Sequence, residues 1–286
     1  MESKLNKSIL ITGCSTGIGK ALVEYFLSKG FLVFGSIRTK SLAEPLEKEL
    51  GEKFCSLVFD VRNRSQIEKA FSKVKSKLKG ENLGILVNSA GIAKLGPVEL
   101  IEPEEFEQHL ETMVMGAFNC VQVFLPLLGT KNKNSRPGKI INISSGGGTI
   151  GQPFMSSYCT SKHALEGFSE SLRRELMIHK IDVIIVAPRA FKTPIWNKSN
   201  IGGRVSLYEK TTYSEPFKKF SKMIKSQSEQ GRDVRELAKK IYTIAKKSKP
   251  KVKYSFGPSG FLFFLIRFLP KRFIDKLLAK YFHIIK

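Results

Sequence analysis

The chain has 286 residues, enough for one large α/β domain or two small ones, and 42% of them are hydrophobic and 10% aromatic, a composition that excludes a disordered polymer. It carries 48 basic against 25 acidic side chains, a formal balance of +23. Met1–Pro188 holds 24 basic and 19 acidic residues (+5), whereas Arg189–Lys286 holds 24 and 6 (+18), so whatever the positive charge attracts is expected to dock on the C-terminal third.

Short apolar runs alternate with segments of helical period. Ser8–Thr12 is predicted as a strand, Ile18–Lys29 as a helix ended by Gly30, and Phe31–Ile37 as a second strand. Glu44–Leu50 belongs to the next helix and Cys55–Phe59 to a third strand; Ser65–Leu78 is helical, with Ile67, Phe71, Val74 and Leu78 on one face. Ile85–Asn88 is a fourth strand, a long helix runs from about Pro103 to Leu127, and Lys139–Ser144 is a fifth strand. Ser157–His179 is helical and Asp182–Ala187 is the sixth strand. Strands too apolar to face water, alternating with helices, predict an α/β fold: a single-domain, Rossmann-type, doubly wound parallel sheet covered on both faces. One domain is expected over residues 1–256, with polar, irregular Arg189–Ser228 as a lid, and a basic amphipathic helical extension over 257–286.

The first strand runs into Thr12-Gly-Cys-Ser-Thr-Gly-Ile-Gly19, where a doubly wound sheet holds a pyrophosphate. Glycines let the backbone approach the ligand, and the helix N-terminus offers N–H groups and a positive dipole. The spacing is GxxxGxG, not GxGxxG, and a glycine cluster alone also suits a tight turn. Between a strand and a helix it is read as a cofactor site formed by Gly13, Ser15, Thr16, Gly17, Ile18 and Gly19. The second strand ends Gly35-Ser-Ile-Arg-Thr39. Ile37 cannot bind ribose hydroxyls as a carboxylate would, whereas Arg38 suits the 2′-phosphate of NADP, a solvated surface arginine being the alternative. NADP is therefore the expected cofactor.

In Tyr158-Cys-Thr-Ser-Lys162 the four-residue interval puts Tyr158 and Lys162 on one helical face. A free tyrosine, with a pKa of about 10, is a reluctant proton donor. A neighbouring ammonium is expected to lower that value toward the useful range. Ser145, at the end of the fifth strand, is placed to hydrogen-bond a reacting carbonyl. A YxxxK pair by itself is most often a surface feature.

The order TGxxxGxG, Asn88-Ser-Ala-Gly91, Ser145, Tyr158 and Lys162 resembles the short-chain dehydrogenase/reductase family, over roughly Lys7 to Thr193. Within it, Tyr158–Leu176 is similar to hydroxysteroid and retinol dehydrogenases and to acyl-dihydroxyacetone-phosphate reductases. The resemblance implies that Tyr158 is the acid/base, that Lys162 binds the nicotinamide ribose and tunes Tyr158, and that Ser145 polarises the carbonyl. It places Asp60 near the adenine, Asn88 in support of the pocket and Thr193 by the carboxamide, with Val61, Ala90, Gly91 and Pro188 among the cofactor contacts. It also implies a homodimer through the long helices. The chain departs from the family at Met113, where an Asn usually holds a relay water, and at Pro188-Arg189, where Pro-Gly is usual.

Cys14, Cys55, Cys120 and Cys159 are widely spaced without a CxxC or Cys/His cluster, so reduced thiols in a cytoplasmic protein and no metal are expected. The first residues show no signal-peptide core, and no stretch approaches ~20 consecutive apolar residues. Gly260–Pro270 is densely apolar but short. After it, Phe273, Ile274, Leu277, Leu278, Tyr281 and Phe282 fall on one helical face and Lys271, Arg272, Lys276 and Lys280 on the other. Such a helix suits peripheral membrane contact, with Lys239, Lys240, Lys246, Lys247, Lys249, Lys251 and Lys253 adding charge. Closing the substrate pocket or packing on a second subunit are the alternatives. Nucleic acid is not expected, because the aromatics cluster with aliphatics instead of interleaving with Lys and Arg. The expected activity is NADPH-dependent interconversion of a carbonyl and an alcohol on a lipophilic steroid, retinoid or acyl-lipid substrate; the rival is a catalytically quiet NADP-binding sensor or scaffold at a membrane.

Overall fold

The computed structural model describes residues 6–131, 136–257 and 269–285. Strands β1 (Ser8–Ile11), β2 (Leu32–Ile37), β3 (Phe54–Val58), β4 (Ile85–Asn88), β5 (Lys139–Ile143), β6 (Asp182–Pro188) and β7 (Lys253–Phe256) form one sheet in the order β3-β2-β1-β4-β5-β6-β7. Every neighbouring pair is parallel. The helices are α1 (Gly17–Ser28), α2 (Ala43–Leu50), α3 (Arg64–Leu78), α4 (Pro103–Leu110), α5 (Gly116–Phe124), α6 (Ser156–Glu175), α7 (Ile195–Lys198), α8 (Ile201–Leu207), α9 (Ser214–Gln230), α10 (Val234–Ala245) and α11 (Lys271–Tyr281).

Side chains alternate across a strand, so each strand feeds two cores. Ile9, Ile11, Val87, Ile141, Ile143 and Val186 meet Leu22 and Phe26 of α1 and Leu237 and Ile241 of α10 on one face. Leu10, Leu86, Ile140 and Val183 meet Ile67 and Val74 of α3, Cys120 and Phe124 of α5 and Leu172 of α6 on the other. The strand order reverses between β1 and β4, and the crevice at the strands' C-terminal ends is where a doubly wound sheet receives its ligand.

The six expected strands are present, with ends displaced by at most a residue, and β7 is a seventh that the reading above did not contain. Arg189–Ser228 is not irregular: α7, α8 and most of α9 lie within it, and its polar residues form the outer side of helices whose inner side buries Tyr208, Phe217, Phe220 and Ile224. The long helix is broken by a π-helical turn at Glu111–Met115 and ends in a 3-10 turn at Leu125–Leu128. The run Pro103–Leu128 is long and apolar enough to cross a bilayer by length and composition, yet Cys120, Phe124 and Leu128 are buried against the sheet. Of the lysines read as added charge between 239 and 253, Lys239, Lys247, Lys249 and Lys251 are exposed and Lys240, Lys246 and Lys253 half-buried. Those of α10 stand on a helix whose other side is core, Lys246 and Lys247 lie over the Tyr242 and Tyr254 rings, and Lys253 pairs with Glu166. Residues 260–268 of the apolar Gly260–Pro270 stretch lie outside the described residues.

Candidate active site

The β1–α1 turn is shaped by its glycines. Gly13 has φ +68°, and a Cβ there would stand 2.8 Å from Ala90 Cα; one on Gly19 would stand 2.2 Å from the Gly13 carbonyl oxygen. Two hydroxyls lock the turn to its neighbours. Ser36 Oγ accepts from Gly13 N–H, and Thr12 Oγ1 accepts from both Ser89 and Ala90 N–H, each at 3.0 Å. Helix α1 opens with neither a side-chain cap nor an acidic residue in its first turn. Such an N-terminus, on a turn packed so closely that neither Gly13 nor Gly19 has room for a Cβ, suits a pyrophosphate.

A cavity of about 530 Å³ begins at this turn, lined by Gly13, Ser15, Thr16, Gly17, Ile18 and Gly19. It continues past Arg38, Asp60 and Val61, then Ala90 and Gly91, and reaches Ser145, Tyr158, Lys162, Pro188 and Thr193. Sixteen of the seventeen site residues expected from the sequence thus face one space; Asn88 is the exception. Its amide donates to Asn142 Oδ1 at 2.8 Å, and Asn142 donates in turn to Ser169 Oγ at 2.8 Å, so Asn88 ties β4 to β5 and α6 behind the cavity wall.

Arg38 is exposed at the cavity rim while Ile37 is buried. The Asp60 carboxylate is already engaged, accepting from Arg62 Nη2 at 2.8 Å and from its backbone N–H at 2.9 Å. Burial raises its pKa, but the Arg62 hydrogen bonds outweigh this and hold it below the usual carboxylate range.

The catalytic candidates come from β5 and α6. Burial pushes the Tyr158 phenol up to about 12, against the lowering influence of its hydrogen bond with Ser145. Lys162 is buried too; its ammonium donates to the Ile143 carbonyl at 2.8 Å and lies 5.8 Å from the Tyr158 ring centroid. Burial brings Lys162 down to about 8, with Glu166 acting in the opposite sense. Against the expectation that Lys162 draws the phenol down, burial dominates, and the lowering influence comes from the Ser145 hydrogen bond. A protonated phenol beside Ser145 is chemically able to give a proton to a developing alkoxide.

The two departures have structural accommodations. Met113 lies on the π-helical turn, buried in an apolar cluster with Tyr158, Phe154 and Met155, its sulfur facing Gly91. Arg189 is held at the end of β6 by donation from its backbone N–H to the Phe256 carbonyl at 2.7 Å. Its side chain covers Gly146, where a Cβ would come within 2.8 Å of Arg189 Cγ, and Ala190 takes a φ of +50°.

Sequence reasoning missed several contributors. Trp196 lines the cavity with its ring centroid 5.9 Å from that of Tyr158, and a lone tryptophan soon after the sixth strand was the available signal. Beneath Ser145, Ser144 Oγ donates to Glu166 Oε1 at 2.7 Å, and Lys253 reaches Glu166 Oε2 at 2.5 Å and Thr149 Oγ1 at 3.0 Å. That bracket joins residues far apart in the chain. No local pattern announces it.

These residues fit a nicotinamide dinucleotide: the turn for its pyrophosphate, Arg38 at the rim, and Ser145, Tyr158 and Lys162 at the reacting end. Such a cofactor supplies the hydride; the protein supplies position, a proton and exclusion of water.

Comparison with known proteins agrees. The family model for short chain dehydrogenase matches residues 7–202. The chain is 37% identical over 272 residues to the NADPH-dependent 3-dehydrocapnine reductase of Ornithobacterium rhinotracheale, covering 95% of each chain. It is 33% identical over 250 residues to the 3-ketodihydrosphingosine reductase of Bacteroides thetaiotaomicron, covering 87% of each. A solved short-chain dehydrogenase from Streptomyces avermitilis superposes with a TM-score of 0.75 over 99% of this chain and 98% of that one, at 24% identity, a likeness of fold. From its glycine turn to its Tyr158–Lys162 pair, the chain belongs to the short-chain dehydrogenase family and is an oxidoreductase that uses a nicotinamide cofactor.

Proposed function

We propose that this oxidoreductase is an NADPH-dependent carbonyl reductase of a lipophilic substrate, acting in the cytoplasm with Tyr158 as the proton donor. The observation that carries the reading is one cavity holding the glycine turn, Arg38 and the Ser145–Tyr158–Lys162 group together. In this assignment Ser145 orients the carbonyl oxygen, Tyr158 gives its proton to the oxygen as it gains charge, and Lys162 holds the ribose. The phenol, pushed up by burial, is protonated at neutral pH and so carries the proton that reduction of a carbonyl requires. Arg38 supports NADPH over NADH, as does the printed name of the Ornithobacterium relative.

Support for a lipophilic substrate comes from the reacting end, where Met155, Ile195, Trp196 and Ile224 line the cavity. The Ornithobacterium and Bacteroides relatives are both named as reductases, the second of a 3-keto sphingoid compound, which favours the acyl-lipid class within the steroid, retinoid and acyl-lipid range. A homodimer through α5 and α6 belongs to the same reading; Phe118 of α5 and Met115 of the turn before it are exposed.

The test is oxidation of NADPH and NADH by the purified protein, with long-chain ketones set against small sugar-like carbonyls. Turnover on the long-chain ketones with NADPH is the expected result. Turnover confined to small polar carbonyls overturns the substrate class. NADPH binding without oxidation of any carbonyl favours the catalytically quiet sensor, the reading to which a buried Met113 in the relay position lends weight.

A further inference from the structure

Helix α11 has four side-chain stripes at four-residue spacing, of which Lys271, Asp275 and Ala279 form a mixed one and the other three are each of one character. Ile274, Leu278 and Phe282 form the inner one. Phe282 is buried against Phe154 and Phe220, with ring centroids at 6.5 and 5.9 Å, and belongs to the apolar cluster that contains Tyr158. The stripe beside it, Phe273, Leu277 and Tyr281, faces outward with exposures of 50%, 51% and 52%, and Ile284 continues it at 45%. The third, Arg272, Lys276 and Lys280, is exposed and wholly basic. Lys219 of α9 extends the positive rim, its ammonium 5.1 Å from the Tyr281 ring centroid and 2.7 Å from His283 Nε2.

We propose that α11 seats the protein on an anionic lipid bilayer, entering the interface with Phe273, Leu277 and Tyr281 while Arg272, Lys276 and Lys280 reach the headgroups. A helix lying in the interfacial plane needs an apolar stripe bordered by cations long enough to snorkel, and α11 has both beside its docked stripe. Charge decides among the partners. Residues 189–286 carry +18, so a second copy of this face repels the first, whereas an anionic surface attracts it. The arrangement also gives α11 two tasks at once: its inner edge covers the aromatic cluster around Tyr158 while its outer edge meets the lipid.

The experiment is flotation of the full chain with phosphatidylcholine vesicles prepared with and without phosphatidylglycerol, at low and high salt. Binding is read without turnover, so its outcome is independent of the reductase assignment. Association with the anionic vesicles alone, reversed by salt, is expected. Phe273→Ser/Leu277→Ser/Tyr281→Ser should lower partitioning at least about tenfold, and Lys276→Gln alone on the order of fivefold. NADPH binding and Tm should be unchanged in the triple variant; should its Tm fall, Leu277→Ser alone is compared instead. No flotation at low salt overturns the proposal, as does flotation that the stripe substitutions leave untouched. So does a concentration-dependent dimer that the triple variant dissolves while the wild type ignores vesicles.

Discussion

Alanine at the three glycines of the β1–α1 turn should impair NADPH binding in a graded order set by what each new methyl group meets. At Gly17 the Cβ finds ordinary contacts, 3.5 Å to Pro194 Cδ and 3.7 Å to Thr193 Cβ, so the cost is the left-handed backbone at φ +59°. That is about 1–2 kcal/mol, and cofactor affinity should fall on the order of tenfold. At Gly13 the same penalty at φ +68° is joined by a Cβ 2.8 Å from Ala90 Cα, a backbone atom that cannot swing aside. At Gly19 the Cβ would lie 2.2 Å from the Gly13 carbonyl oxygen and 2.9 Å from Cys14 Cα, so the turn must open by about 1 Å to reach normal contact. A displacement of that size in a positioning element costs about 10²-fold, so Gly19→Ala should be the most severe of the three. NADPH fluorescence titration gives the affinities, with Tm measured alongside to separate binding from folding. Equal losses at the three positions, or wild-type affinity in Gly19→Ala, would refute the assignment of this turn as the pyrophosphate cradle.

Arg38→Asp should weaken NADPH binding at least about tenfold while changing NADH affinity little, because a charge-assisted hydrogen bond to a phosphate is lost; equal effects on the two cofactors would remove Arg38 from phosphate recognition. With Lys162 brought down from 10.5 to about 8 by burial, its ammonium is intact below pH 8 and lost above it. The ribose-binding contact goes with it, so kcat/KM for NADPH should fall above about pH 8 with a one-proton slope; a profile flat to pH 10 contradicts this. Lys253→Met leaves Glu166 with Ser144 Oγ and without its cation. The pair is partly solvated, with side-chain exposures of 25% and 14%, so the loss is discounted to about 2 kcal/mol, a fall in Tm of roughly 4–8 °C by thermal melt.

The legible parts of this fold are those whose signals are local. Ser8–Thr12 followed by Gly13, Gly17 and Gly19 gives a strand, a turn and a helix within a dozen residues, and Tyr158 and Lys162 share a helical face by spacing alone. Lys253–Phe256 was not legible as a strand because it lies in a lysine-rich stretch, and its pairing with Ile185–Pro188 spans some seventy residues. The 189–228 segment looked irregular because polar residues outnumber the Tyr208, Phe217, Phe220 and Ile224 that hold it down. Helix α11 shows its apolar face in the sequence, but only tertiary packing divides that face into a buried stripe ending at Phe282 and an exposed one ending at Tyr281. Chemistry followed the same rule. The sequence contains the tyrosine and the lysine; burial, which sends the phenol up and the ammonium down, belongs to the folded chain.

The most direct test of the account is NADPH oxidation with a long-chain ketone by the wild type and by Tyr158→Phe, each first shown to bind NADPH. Phenylalanine keeps the ring beside Trp196 and removes only the hydroxyl that meets Ser145. Turnover by the wild type with a loss of at least about 10²-fold in the variant, at unchanged NADPH affinity, is the predicted result. A variant that turns over like the wild type would contradict the assignment of Tyr158 as the proton donor.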